Sequence, residues 1–189
     1  PFTNSFVETA GQLLDKNTAV ISPLTNDSGK GGSNVFYAMP NENIQKQQLM
    51  LYLKSKSDAI FSIHSSAKTS LSSYFTSNYP EVKQSSFNEK GLFDYTIFKT
   101  LLQKGKKNFV ILDSDKIMQV ISVVNNLIKL KKEFDIQLVV VERNDALDFE
   151  EIPSKNLATL QMLYPSAICE NESAAASNFA KAYRKDNKV

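Results

Sequence analysis

Tryptophan is absent from the 189 residues, and cysteine and histidine occur once each, as Cys169 and His64. A single cysteine excludes an intramolecular disulfide, and one Cys with one His cannot supply a zinc site of the usual spacing. Any metal chemistry would therefore need carboxylates. Charge of one sign is also missing, since 22 Lys and Arg stand against 20 Asp and Glu. That balance lacks the basic excess that draws a whole domain onto nucleic acid or anionic lipid. No apolar run approaches the roughly 20 residues of a membrane span, and residues 1–6 lack the charged and apolar regions of a signal peptide.

What is present is 42% hydrophobic residues in a chain long enough to bury a substantial core. Its middle alternates short β-type runs with helical stretches, the pattern of a parallel sheet covered by helices on both faces. Residues 58–63 (DAIFSI), 81–87 (EVKQSSF), 108–112 (NFVIL) and 136–141 (IQLVVV) are the strand candidates. The last is apolar enough for a central position. The clearest helix is 116–134, where Ile117, Val120, Ile121, Val124, Leu127 and Ile128 recur at helical spacing and Ser114 or Asp115 can cap the start. A shorter helix is expected over 95–102, followed by Gly105 in a left-handed C-terminal turn, and another over 69–77, because parallel neighbours need a crossover.

The flanks read differently. Residues 5–14 open with Ser5-Phe6-Val7-Glu8, a capping-box pattern, and run as a helix into a strand at 19–22. A polar loop over 26–34 leads to an extended run at 35–39, and Pro40 precedes a helix over 41–54. Residues 144–156 are acidic and irregular, 157–164 return to extended structure, and 172–184 form an Ala-rich helix with Ala175, Phe179, Ala182 and Tyr183 on one side.

The ordered series PFTNS (1–5), AVISPLTN (19–26) and NVFYAMPNENIQKQQLMLYL (34–53), then the central β/α unit, resembles type I periplasmic binding proteins of the branched-chain-amino-acid-binding kind. LATLQMLYPSA (157–167) and ESAAASNFAKAYRK (172–185) resemble the return crossing of that family and the helix after it. The resemblance implies a doubly wound parallel α/β sheet with one complete lobe and part of a second. Residues 1–56 would form the partial first lobe and hinge, 57–144 the second lobe, and 145–189 the return crossing and a first-lobe helix. The family's first strands would precede Pro1 and its last elements follow Val189. The closest likeness is to the branch in which such a domain belongs to cell-wall proteins, sometimes with LysM peptidoglycan-binding repeats. An exported protein of the periplasm or cell envelope is implied.

In that family the ligand lies between the lobes, held by hydroxyls and backbone N–H groups at strand ends and helix starts. By position, Thr3, Asn4 and Ser5 match the first such turn, Ser22 and Thr25 the second, and Ser65 and Ser66 the turn after the first central strand. There the family commonly has an aromatic-Gly turn where this chain has SSAK (65–68). Glu142, beside Arg143, matches the region from which an acidic residue contacts a ligand amine. Each has a local alternative: Ser5 closes the capping box with Glu8, and Glu142 with Arg143 makes a solvated rim pair.

Catalysis finds no constellation. Asp113-Ser114-Asp115 could hold a divalent metal and a sugar nucleotide or simply cap the next helix. His64 sits near Ser62, Ser65 and Ser66 without a nucleophile elbow or an acid placed by spacing. Residues 28–33 (SGKGGS) do not meet the phosphate-loop pattern, because Lys30 precedes Gly31. Cys169 has no His or basic cluster beside it, and the Lys groups at 104–107 and 129–132 lack interleaved aromatics.

The expected function is thus a non-catalytic domain, with no cofactor and no metal, that binds a small polar ligand of amino-acid or peptide type. The alternative is a protein-interaction domain in peptidoglycan maintenance that has lost its ligand. Partners expected are the ligand or an envelope protein, with no nucleic acid and no membrane span. Self-association through strand edges and apolar helix faces is also expected.

Overall fold

The structure, a computed structural model, describes residues 3–26, 30–39, 41–65, 69–88, 90–141, 147, 151–166, 178–179 and 181–183. Two parallel sheets organise them. In the first, helix α1 (Asn4–Leu13) precedes strands β1 (Val20–Asn26) and β2 (Val35–Met39), which pair in parallel with Val20 opposite Val35, Ile21 opposite Phe36 and Ser22 opposite Tyr37. Val7 and Gly11 are the buried residues of α1. A Cβ on Gly11 would collide with Val35 Cγ2, so the missing side chain is what lets α1 lie close against β2.

The second sheet contains β3 (Ile60–His64), β4 (Lys83–Ser86), β5 (Lys107–Asp113) and β6 (Asp135–Val140), all parallel, in the order β4-β3-β5-β6. Strand character follows exposure. β3 and β5 are buried through their apolar residues on both faces, as central parallel strands must be, whereas polar β4 lies at an edge. Helices α2 (Glu42–Lys56), α3 (Thr69–Asn78), α4 (Tyr95–Leu101), α5 (Ile117–Leu130) and α6 (Ser154–Thr159) complete the fold. Leu49, Met50 and Leu53 of α2 pack with Leu71 and Phe75 of α3 over Ile60, Phe109, Ile111 and Val139. Phe98 of α4 and Val120, Val123, Val124 and Leu127 of α5 cover Phe61, Ile63, Val110, Leu112 and Leu138 on the opposite face. The expected α/β architecture, a parallel sheet flanked by helices, is therefore present.

Local chemistry sets the helix starts. Asn41 accepts the Asn43 N–H at 2.8 Å ahead of α2, and Asp94 accepts the Thr96 and Ile97 N–H groups at 3.0 and 3.1 Å ahead of α4. The α5 start differs from expectation in detail: Lys116 takes the cap position without a side-chain bond, while Ser114 Oγ accepts the Lys116 N–H at 3.2 Å. The helix also ends at Leu130 rather than 134, after which the chain turns into β6.

Other expectations are corrected. The capping box at Ser5 does not form, because α1 begins at Asn4 with extended Thr3 at the cap, which leaves Ser5 inside the helix. The strand expected at 19–22 runs instead from Val20 to Asn26. Gly105 is left-handed, at φ 76°, but α4 has already ended at extended Leu102, so Gly105 shapes the turn before β5. Residues 157–164 are not one extended run. Pro153 leads into α6, left-handed Gln161 ends the turn after it, and only Leu163 bridges to Val139. Leu157 and Leu160 stand three apart, a spacing that suits one face of a helical turn and not the alternation of a strand. Residues 178–179 and 181–183 are helical as expected, and the rest of 172–184 lies outside the described residues.

Candidate functional site

The winding of the four-stranded sheet reverses between β3 and β5: from β3 the chain moves outward to β4, then returns across β3 to β5 and on to β6. Helices α3 and α5, which follow β3 and β5, therefore cover opposite faces, the arrangement in which open parallel sheets receive ligands in a crevice at the carboxyl ends of their strands. His64 and Asp113 end the two strands as in-register partners, with Ser86 of β4 on the other side of His64. They share one face of the sheet, since partners in register point the same way.

Just beyond the strands stand Ser65 and Ser114, both buried. The Ser65 N–H donates to the Asp113 carbonyl at 3.2 Å and ties the two strand ends together. Ser114 Oγ donates to Gln119 Oε1 at 2.6 Å, a bond that holds the β5–α5 turn onto the first turn of α5. Gln119 is itself buried and lies against Gly91, whose left-handed backbone (φ 74°) turns the segment after β4 so that it fits beside the amide. Asn88 Oδ1 fixes that segment by accepting the Lys90 and Leu92 N–H groups at 3.0 and 2.9 Å. Two residues inward from His64 on β3, Ser62 Oγ is buried with no hydrogen-bond partner among the described residues.

Apolar side chains are exposed in the segments that follow the strands. Leu92 and Ile97 follow β4, and Met118, 75% exposed, follows β5. The strand ends thus bring together hydroxyls, an imidazole and a carboxylate. Such a set recognises a polar molecule through hydrogen bonds; His64, whose Nδ1 lies 3.4 Å from the Ser65 carbonyl, adjoins no Ser-His-Asp relay in the described geometry.

The residues expected from sequence fall into separate groups. Ser65 stands in the crevice. Thr3 and Ser5 are exposed at the start of α1, with their hydroxyls 3.3 Å apart. Ser22 and Thr25 are buried in β1 and hydrogen-bonded to each other, so each hydroxyl has a partner within its own strand. Ser66 and Glu142 lie outside the described residues, as do Arg143 and Cys169. Gln119 escaped notice in the sequence, although a polar side chain inside the apolar opening Ile117–Ile121 of the helix was its signal. Among the described residues, no three His, Cys, Asp or Glu side chains converge as metal ligands would, and no helix is long and apolar enough to cross a membrane.

In comparison with known proteins, no family model matches the chain, and neither a curated protein nor a solved structure matches it.

Proposed function

We propose that this chain is a non-catalytic binding domain of an exported solute-binding or sensor protein of the periplasm or cell envelope, and that a small polar ligand sits at the carboxyl ends of β3 and β5. The observation that carries this reading is the reversal of winding between those strands, with Ser65 and Ser114 buried beside His64 and Asp113. Hydroxyl and amide donors there suit a carboxylate or carbonyl, and Asp113 suits an amine, which together describe an amino-acid or peptide-like ligand. The resemblance of the chain order to type I periplasmic binding proteins supports the same reading.

The test is a thermal-shift screen of amino acids, small peptides and muropeptides. A ligand at 100 times its Kd adds about 2.7 kcal/mol of stability, an increment of several degrees. The expected hit is dose-dependent and lost in Asp113→Asn. A flat screen on folded protein rejects this reading.

A second reading has its own support. Ile21 and Phe36, opposite one another on β1 and β2, are 69% and 57% exposed, and such an uncovered apolar pair suits contact with another protein. On that reading the chain is a protein-interaction domain in peptidoglycan maintenance. Capture of an envelope partner that Phe36→Lys abolishes, with no ligand found, favours it.

A further inference from the structure

The strands of the larger sheet are parallel, so the segments that carry the chain into them, residues 54–60, 79–83, 99–107 and 129–135, meet at one end of the molecule, opposite the crevice. Asp58, Glu81, Glu133 and Asp135 are the acidic residues of these segments, and Lys106, Lys54, Lys99 and Lys131 pair with them in that order. Six lysines are left over. Lys56 ends α2, Lys83 opens β4, Lys104 and Lys107 flank the turn into β5, and Lys129 and Lys132 straddle the end of α5, none in an ion pair among the described residues. The near-balance of the whole chain, a net charge of +2, thus hides a basic end. We propose that this end docks on a bilayer surface rich in anionic lipid, with the six lysines toward the headgroups and the strand-end crevice turned away from the membrane.

Three features point to this partner. First, the charge is spread rather than gathered. The lysines come from the entries to all four strands, about 14 Å across at the usual strand spacing. Neighbours at that density reinforce one another, because screening at physiological salt acts over about 8 Å. Second, every cation of these segments is a lysine. An ammonium is a point charge without the planar fork that clamps one phosphate or reads a base, so the set suits diffuse attraction to a charged surface. Third, Lys56 lies 5.6 Å above the ring of Tyr52, which is 48% exposed, and an amphipathic aromatic beside a cation is favoured at headgroup level. Helix dipoles do not account for the excess, because Lys83, Lys104, Lys107 and Lys132 stand outside the helices. The rings of Phe61 and Phe109 beneath Lys83 and Lys107 hold those side chains without neutralising them.

The test is co-sedimentation of the full chain with vesicles of phosphatidylcholine alone or mixed in roughly equal parts with phosphatidylglycerol. Binding is expected to the mixed vesicles only, and to fall as salt rises. Each lysine near an anionic surface strengthens binding about fivefold, so the joint change Lys56→Glu, Lys104→Glu and Lys132→Glu, all at exposed positions, should weaken it about a hundredfold or more. Lys16→Glu, Lys116→Glu and Lys155→Glu alter the net charge equally at exposed positions elsewhere and should leave most of the binding. The corresponding Gln variants, matched to the parent in melting temperature, repeat the comparison without introduced acids. The proposal is overturned by a chain that ignores the mixed vesicles at low salt, or by equal losses in the two sets of variants. It is likewise overturned if polyphosphate or duplex DNA binds this end and the mixed vesicles do not, which would make the partner a dissolved polyanion.

Discussion

His64 and Asp113 face each other as in-register partners at the carboxyl ends of β3 and β5, where the sheet changes its direction of winding. Both are only partly buried. Substitution there should therefore change recognition without much change in stability. His64→Ala is expected to move the unfolding free energy by about 0.5 kcal/mol or less, as at surface sites, while it weakens binding of any ligand found by thermal shift. Urea titration with and without that ligand separates the two effects.

Gly11→Ala inverts a familiar sign. In an exposed helix interior this change stabilises by about 1 kcal/mol through helix propensity. Here the new methyl would meet Val35 Cγ2, so α1 must shift away from β2 and stability should fall instead. Val35→Ala in the same chain should restore part of the loss, which a double-mutant cycle by denaturant unfolding measures.

Asn108 is fully buried at the start of β5, and its amide donates to the carbonyls of Gln103, Lys106 and Asp135 at 2.9, 2.9 and 3.0 Å while its oxygen accepts the Gln103 N–H at 2.8 Å. The side chain thus pins the turn before β5 to the first residue of β6. Asn108→Ala leaves these backbone groups without that partner and is expected to cost about 2 kcal/mol or more. Equilibrium unfolding in urea reads the loss as a lower midpoint at constant slope.

Acid should release three exposed ion pairs. Lys106, by hydrogen bond and then by charge, holds the Asp58 carboxyl below its usual range, as Lys54 does for Glu81 and Lys99 for Glu133. A carboxylate whose folded pKa is lowered stabilises the fold above its unfolded pKa, and that contribution disappears as pH falls through the folded value. Asp58→Asn should therefore lower the melting temperature slightly at neutral pH. The difference from the parent chain should close well below pH ~4, where Asp58 is protonated in both states, and salt should shrink it at neutral pH. A difference that persists in acid would assign the effect to packing.

The strands NFVIL and IQLVVV were legible as buried, although the second, expected at a central position, is β6 at the end of the order β4-β3-β5-β6. NFVIL and IQLVVV are too apolar for a solvated face, and only a sheet covered on both sides buries them. The place of Ser65 at the end of a strand was legible for the same reason, since the run before it is apolar. Residues 157–164 were misread: Leu157, Leu160 and Leu163 recur every three residues, a helical rather than a strand spacing, and the bridge of Leu163 to Val139 joins residues distant in sequence. Ser22 and Thr25 show a different limit: their spacing in the sequence suits a ligand or one another, and the structure has them bonded to one another. The crevice itself depended on strand order, which no local pattern encodes.

The β6 edge of the four-stranded sheet is occupied by its own chain. Leu163 bridges to Val139, the Leu163 N–H donates to the Leu138 carbonyl at 2.9 Å, and the Leu138 and Val140 N–H groups donate to the carbonyls of Leu160 and Leu163 at 3.0 and 2.9 Å. At the other edge, β4 offers only four residues, Lys-Gln-Ser-Ser. One margin is thus sealed and the other is short and hydrophilic, both of which discourage a foreign strand from adding on. Edge-to-edge growth of the most apolar sheet is in this way disfavoured, and its apolar β6 margin opens to a foreign strand only in states in which residues 160–163 have peeled away.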